Sequence, residues 1–284
     1  MSRSVRAFAQ AKVNLTLEVL GQRADGYHEL RSVFALVDLA DLIRVAASPR
    51  LDVQLTPDVG APPGEDLATR AVRTLAEVSS REPRAVVRVR KRIPVAAGLG
   101  GGSSDAAAVM RALADLWHVA PPTAAAAATV GSDVPFFASG APFALVGGRG
   151  ESVEPLPVPP AELWVVLVRP AAALRTADVF AAHAAPAGDG AASERLAAAF
   201  RAGIVTPTLL RECARNDLLA AAERICGWIA DARAAARARG IELQLSGSGP
   251  ALFAVADDRG HALRSARALR RAGLRPRASR LGVV

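Results

Sequence analysis

The sequence predicts an α+β protein built as two domains. Its 284 residues are enough for one large or two ordinary domains with a substantial core. Strand-like runs crowd the first ninety residues as neighbours that read as antiparallel, and helices are interspersed among strands only later. That order favours α+β over a doubly wound parallel sheet. A Pro-rich break, EPLPVPPAE (154–162), sets the boundary, giving domains of residues 1–156 and 157–284.

Each element has its own signal. VRAFAQAKVNLTLEVLGQ alternates apolar and polar residues as a strand does and ends at Gly21. RADGYHEL follows, carrying an Asp-Gly turn at 25–26. SVFALVDLADLIRVAAS reads as strand, Asp turn, strand, and LDVQLT (51–56) as another short strand before a Pro/Gly loop. Leu67, Ala71, Leu75 and Val78 recur at helical spacing over 66–79. AVVRVRKRIP is a strand closed by Pro94, a helix runs from about Ser104 to Leu116, and another covers 123–129. VGSDVPFFASGAPFALVGGRGE reads as loop and strand. Beyond the boundary, LWVVLVRP is a buried strand, helices cover 176–184, 191–202 and 215–239, and IELQLSGSGPALFAVA is strand, glycine turn, strand. The Ala-rich patches are compositional, and the chain carries no internal repeat.

Composition excludes several classes. With 51% hydrophobic and 22% charged residues the chain is an ordinary globular one. No apolar run reaches the ~18 residues a bilayer span needs, and MSRSVRAFAQAKVNL has no apolar leader core. Cys213 and Cys226 have no metal-like partners and read as reduced thiols, so a cytoplasmic protein is expected, with no membrane partner. The net charge of +8 and the arginine clusters at 88–92 and 264–280 raise nucleic-acid binding as a competing class. No helix-turn-helix, zinc-finger or aromatic RNA-binding signature accompanies them, so solvated arginine faces are expected instead, and no nucleic-acid partner. Lysine occurs only at Lys12 and Lys91, asparagine only at Asn14 and Asn216, and tyrosine only at Tyr27. In a chain that otherwise uses arginine, a surviving lysine suggests a need for a compact point charge.

The stretch AGLGGGSSDAAAVMRAL (97–113) holds four glycines in five positions before a helix. A dinucleotide loop fits poorly: Pro94 separates the loop from its strand, and Asp115, the candidate for the acidic residue expected about twenty positions on, lies inside the following helix. A Walker-A loop fails because no G-K-[ST] closes it. A floppy linker does not run straight into a good helix. There remain a tight strand-to-helix turn and an anion site at a helix N-terminus, with Ser103 and Ser104 as natural caps.

Other stretches decide between them. Pro94-Val95-Ala96-Ala97-Gly98-Leu99-Gly100-Gly101-Gly102-Ser103-Ser104-Asp105-Ala106 resembles the phosphate loop of the GHMP small-molecule kinases. Ala11-Lys12-Val13-Asn14-Leu15-Thr16-Leu17 and Arg23-Ala24-Asp25-Gly26-Tyr27-His28-Glu29-Leu30 resemble the branch of that family whose acceptor carries a cytidyl-diphosphate group. Gly131-Ser132-Asp133-Val134-Pro135-Phe136-Phe137 is similar to the family's catalytic-aspartate loop, and Ser246-Gly247-Ser248-Gly249-Pro250 to its C-terminal glycine motif. The resemblance spans residues 11 to 250.

It implies a GHMP kinase fold, with an N-terminal domain like the second domain of ribosomal protein S5, a ferredoxin-like C-terminal domain, and the active site in the cleft between them. It implies ATP and Mg²⁺, small-molecule substrates, and a monomer or weak homodimer. Lys12 and Asp133 would be catalytic, the carboxylate orienting the acceptor hydroxyl and taking its proton while the ammonium neutralises charge. An ordinary aspartate of pKa ~3.9 is a poor base for an alcohol, so the proton would move late in a loose transition state. Pro94, Ala96, Gly98, Leu99, Gly100, Gly101, Gly102, Ser103 and Ser104 would cradle ATP, with Ser103 or Ser104 near the metal. Tyr27 and Phe180 would sandwich the cytosine, His28 would read its edge, and Asn14, Thr176, Gly247 and Ser248 would meet the rest of the acceptor. Lys91 is open between assisting ATP and being solvated. Taken singly, Lys12 and Asp133 also read as a strand lysine and a turn residue. Another GHMP kinase of homoserine or mevalonate type is the alternative of the same fold, and an arginine-rich nucleic-acid-binding protein the alternative of another class.

Overall fold

The computed structural model describes residues 4–62, 64–170 and 172–283. The first half contains β1 (Ser4–Asn14), β2 (Thr16–Gln22), β3 (His28–Ala47), β4 (Asp52–Thr56), α1 (Leu67–Val78) and β5 (Ala85–Arg90). It continues with α2 (Gly101–Trp117), α3 (Ala124–Val130), α4 (Val134–Ser139), β6 (Phe143–Gly148) and β7 (Ser152–Pro155). The second half comprises β8 (Trp164–Arg169), α5 (Thr176–Ala181), α6 (Ala191–Ala202), α7 (Pro207–Cys213), β9 (Arg215–Asn216) and α8 (Leu219–Ile225). After these come α9 (Gly227–Arg237), β10 (Gln244–Leu245), β11 (Leu252–Ala256), α10 (Arg259–Arg271) and β12 (Arg275–Arg280).

β3 organises the first sheet. Its twenty residues pair antiparallel with β1, β2, β5 and β6 along different stretches, and β4 and β7 extend the edges. The expected Asp turn within it does not form. Asp38 and Asp41 lie in continuous strand, and the irregularity appears instead as a register shift between Gln10 and Lys12 on the partner β1. Opposing β1 holds the chain extended on both sides of the shift, which outweighs the local turn preference of aspartate.

Over β3 and β1 lie α1 and α2, which bury Ala71, Val72 and Leu75 from one and Ala106 through Met110 and Leu113 from the other. Asp66 caps α1 by accepting from Thr69 N–H at 2.8 Å. VGSDVPFFASGAPFALVGGRGE, expected as loop and strand, also holds α4. Pro135 in its first turn is pre-set for a helix, and Phe136 and Phe137 anchor it in the core. The helix expected over 215–239 is divided. Arg215 and Asn216 are extended beside Thr16 and Leu17, and Cys226 interrupts α8 and α9. α7, α10 and β12 were not foreseen.

The second sheet, ordered β10-β11-β8-β12, is antiparallel throughout. The fold is α+β as predicted. The chain passes from the first sheet to the second between Pro155 and Trp164. The halves are not independent, however: β9 joins the first sheet, and one apolar cluster combines Val13 and Phe143 with Val165, Phe200 and Phe253. Such a shared core fixes the two halves against each other.

Candidate active site

A cavity of about 960 Å³ receives residues from both halves. On its wall stand Lys12, Asn14, Tyr27, His28, Pro94, Ala96, Gly98 through Ser103, Asp133, Thr176, Phe180, Gly247 and Ser248. Of the residues assigned to the site from the sequence, Ser104 alone is not on that wall. Its side chain is buried, and its N–H is spent on Gly100 O at 2.9 Å.

The start of α2 explains this. The helix begins at Gly101, three residues earlier than expected, with Gly100 as its N-cap in the left-handed region at φ 69°. Ser103 and Ser104 are therefore inside the first turn and cap nothing. The ladder opens with Ser104 N–H, so the amides of Gly101, Gly102 and Ser103 precede it and face the anion-attracting end of the dipole. Glycine is needed at Gly100 because a Cβ would approach Phe137 at 2.8 Å and the Lys12 stem at 3.1 Å.

Gly98 serves a different purpose. A Cβ there would come within 2.1 Å of Ser246 O and 2.8 Å of Gly249 N. Conversely, a Cβ on Gly247 would meet Gly98 O at 2.9 Å. The two glycine motifs, some 150 residues apart, thus interlock backbone to backbone. Ser246 Oγ donates to Gly98 O at 3.0 Å, and Ala251 N–H donates to Ala97 O at 3.0 Å. Asn216 supports the second loop by donating to Leu245 O and Gly247 O. The 246–250 turn is in this way a brace for the phosphate loop as well as a wall of the cavity.

Lys12 is 3% exposed. Its ammonium lies 2.6 Å from Asn14 Oδ1, 3.4 Å from Asp133 Oδ2 and 4.3 Å from the centre of the Phe34 ring. Alternation on β1 puts Lys12 and Asn14 on one face, and Asn14 Nδ2 donates to Ser32 Oγ at 2.9 Å, which fixes the amide. Burial pushes the Lys12 ammonium below the ordinary lysine range, and the Asp133 carboxylate pulls it back up. Asp133 occupies the N-cap position of α4 yet makes no cap hydrogen bond, leaving its carboxylate to Lys12 and the cavity.

At the far end, His28 stacks on Phe180 with ring centroids 5.0 Å apart and 30° between planes, and meets His183 edge-on at 6.3 Å. Burial, then the neighbouring His183, holds the His28 imidazole below its usual pKa and hence neutral. Tyr27 is 52% exposed, and its ring faces the Arg149 guanidinium at 4.8 Å. Phe180 thus engages His28 here, and Tyr27 engages Arg149. Thr176 and Ser248 hydroxyls lie 3.0 Å apart.

Lys91 is neither solvated nor free. Its ammonium is buried between Asp41 Oδ2 at 2.5 Å and Asp105 Oδ2 at 2.6 Å, directly behind Gly101. Arg149, Asp41, Asp105 and Phe34 were missed by sequence reasoning, although the rarity of lysine had already marked Lys91.

This geometry has relatives. The chain matches the GHMP kinases N terminal domain over residues 66–141 and the GHMP kinases C terminal domain over 196–274. It is 39% identical over 258 residues, 87% of either chain, to 4-diphosphocytidyl-2-C-methyl-D-erythritol kinase from Paramagnetospirillum magneticum. It is 40% identical to the enzyme of that name from Methylorubrum extorquens, covering 93% of this chain and 94% of the other. The chain belongs to the 4-diphosphocytidyl-2-C-methyl-D-erythritol kinase family. A solved 4-(cytidine 5'-diphospho)-2C-methyl-D-erythritol kinase superposes on it with a TM-score of 0.79 at 36% identity, over 99% of this chain and 100% of that one. Homoserine kinase from Cytophaga hutchinsonii shares the fold, with a TM-score of 0.71 at 19% identity. The 4-diphosphocytidyl-2-C-methyl-D-erythritol kinase family is one of phosphotransferases, and the chain is an enzyme of that kind. Among the described residues no helix is long and apolar enough to cross a membrane.

Proposed function

We propose that this chain transfers the γ-phosphoryl group of ATP to the 2-hydroxyl of 4-diphosphocytidyl-2-C-methyl-D-erythritol, a step toward isoprenoid precursors. The observation that carries the reading is the sharing of one cavity by the Lys12–Asp133 pair and the Tyr27–His28–Phe180 cluster. Aromatic side chains sharing a cavity with a phosphoryl-transfer centre suit an acceptor that carries a nucleobase. Homoserine and mevalonate offer no base to such a site.

Asp133 accepts the hydrogen bond of the acceptor hydroxyl and orients it in line with the phosphorus. The Lys12 ammonium, held by Asn14 and Asp133, neutralises charge on the moving phosphoryl oxygens. As the oxygen bonds to phosphorus its proton passes to Asp133, late in a loose transition state. On the donor side the amides of Gly101, Gly102 and Ser103 bind phosphate oxygens. Tyr27 and Phe180 stack on the cytosine, and neutral His28 offers a donor and an acceptor to its edge. Asn14, Thr176, Gly247 and Ser248 complete the acceptor side.

The donor set also fits Mg²⁺ brought in with the nucleotide. Among the described residues no three His, Cys, Asp or Glu side chains form a metal cage, while the Ser103 hydroxyl and the Asp133 carboxylate both line the cavity. An ion that keeps waters and phosphate oxygens as ligands needs little more. Ser103 would hold it; Ser104, turned into the protein, would not. The ion supplies charge compensation on the phosphates.

ATP consumption measured in parallel with 4-diphosphocytidyl-2-C-methyl-D-erythritol, mevalonate and homoserine tests the reading. Turnover is expected with the first alone. Comparable turnover with either of the others would overturn it.

A further inference from the structure

Tyr27 is the chain's single tyrosine, lies 52% exposed just after an Asp-Gly turn, and has its backbone fixed locally. Its N–H donates to Asp25 Oδ1 at 3.1 Å, and its carbonyl accepts from Arg23 N–H at 2.7 Å. The ring contact recorded for it is the Arg149 guanidinium, 4.8 Å from the ring centroid. A half-exposed aromatic can stack on a base with little ordering cost only if something already holds its ring.

Arg149 is suited to that task because its own backbone is tightly placed. It forms the tip of the β6–β7 hairpin, between Gly148 at φ 68° and Gly150 at φ 125°. Its N–H donates to Glu151 Oε2 at 2.8 Å, and the preceding Gly148 N–H donates to Glu29 Oε1 at 3.0 Å, on the residue after His28. On the other side a Cβ at Gly150 would come within 3.1 Å of Ser132, the neighbour of Asp133. The hairpin tip is therefore anchored to both the aromatic end of the cavity and the Asp133 loop. Arg149 makes no ion pair with a carboxylate among the described residues, whereas Arg23, in the adjoining turn, is paired with Glu29 at 2.9 Å. A planar guanidinium without a carboxylate partner is free to stack on a ring.

We propose that Arg149 is a positioning residue for nucleobase recognition, acting through Tyr27 by holding its ring as one wall of the base slot. This rests on the cytidyl-acceptor reading above. The inference separates Arg149 from a residue that merely pairs with the acceptor's diphosphate. If it acts through the ring, its loss weakens binding of a nucleoside with no phosphate as much as binding of the nucleotide. If it acts on the diphosphate, only the nucleotide suffers.

The test is titration calorimetry of cytidine and CDP with the wild type, Arg149→Met, Arg149→Lys, Tyr27→Ala and the Tyr27→Ala/Arg149→Met double variant. Arg149→Met should weaken cytidine and CDP equally, roughly two- to fivefold, the range of an exposed cation–π contact. In the Tyr27→Ala background the same change should have no further effect. Arg149→Lys should recover only part of the loss, because an ammonium cannot stack as a plane. In steady-state kinetics the loss should appear in the acceptor KM and not in kcat. A loss confined to CDP, or one undiminished in the Tyr27→Ala background, would overturn the positioning role while leaving the cytidyl-acceptor reading intact. Failure of the wild type to bind either ligand would overturn that reading and this inference with it. Melting curves for each variant identify any that fail to fold, and Arg149→Gln then replaces Arg149→Met.

Discussion

Asp133→Ala is expected to lower kcat by about 10²- to 10⁴-fold, the range for loss of a positioned proton acceptor. Nucleotide affinity should stay close to that of the wild type. The separation follows from placement: Asp133 faces Lys12 at 3.4 Å, and the amides proposed to bind phosphate belong to α2. The fold should tolerate the change, because Asp133 makes no cap hydrogen bond to α4. Asp133→Asn gives the sharper measurement. Burial already draws the Lys12 ammonium below the ordinary lysine range, and Asp133 is the group that raises it again. Removing that charge lowers the Lys12 pKa further, so the residual activity of Asp133→Asn should fall away at lower pH on the alkaline limb than wild-type activity does. Single-turnover rates across pH, with an equilibrium nucleotide titration alongside, check both statements. Turnover within tenfold of wild type in Asp133→Ala would remove Asp133 from the chemistry.

The residues that face ligand were legible in the sequence to the extent that chemistry restricts their type. A lysine two positions before an asparagine, in a chain with two of each, stood out by rarity although singly it also read as a strand lysine, and β1 does place the two side by side with Lys12 facing Asp133. What could not be read is what depends on distant backbone. Gly98 and Gly247 look like phosphate-loop and turn glycines, but Gly98 is required by the main chain of Ser246 and Gly249, and Gly247 by that of Gly98. Ser103 and Ser104 carry good cap chemistry, yet a left-handed Gly100 starts the helix ahead of them. The Asp turn of β3 failed for the same reason, since a long ladder to β1 decides the conformation of Asp38 and Asp41. Arg149 was invisible because one arginine among thirty-three gives no signal until a ring is found beneath it.

Lys91→Met is expected to destabilise the protein by about 3–5 kcal/mol, the cost of stripping one partner from a buried ion cluster. Lys91 bridges Asp41, held from β3, and Asp105, in the first turns of α2, and all three side chains are almost wholly buried. Asp41 keeps the Arg92 and Ile93 N–H donors after the substitution. Asp105 keeps nothing comparable: its Oδ1 already has no hydrogen-bond partner, and burial pushes its carboxyl up to about 7 even with Lys91 beside it. The sign of the pH dependence follows. A carboxyl whose folded pKa lies above its unfolded value near 4 holds its proton in the native state, so its contribution is complete below about pH 4 and is lost as pH rises toward 7. Without the ammonium the folded pKa rises further, so Lys91→Met should lose more stability at pH 8 than at pH 5.5. Adding Asp105→Asn should flatten that dependence and restore part of the stability. Urea denaturation at the two pH values measures both effects, and an equal loss at both would show that packing of the lysine stem, not the buried charge, is what the site requires. Because the Lys91 ammonium lies where a Cβ on Gly101 would stand only 3.4 Å from it, the same substitution should raise the KM for ATP more than that for the acceptor. The buried cluster would then tie the position of the phosphate-binding amides to the stability of the strand and helix that carry them.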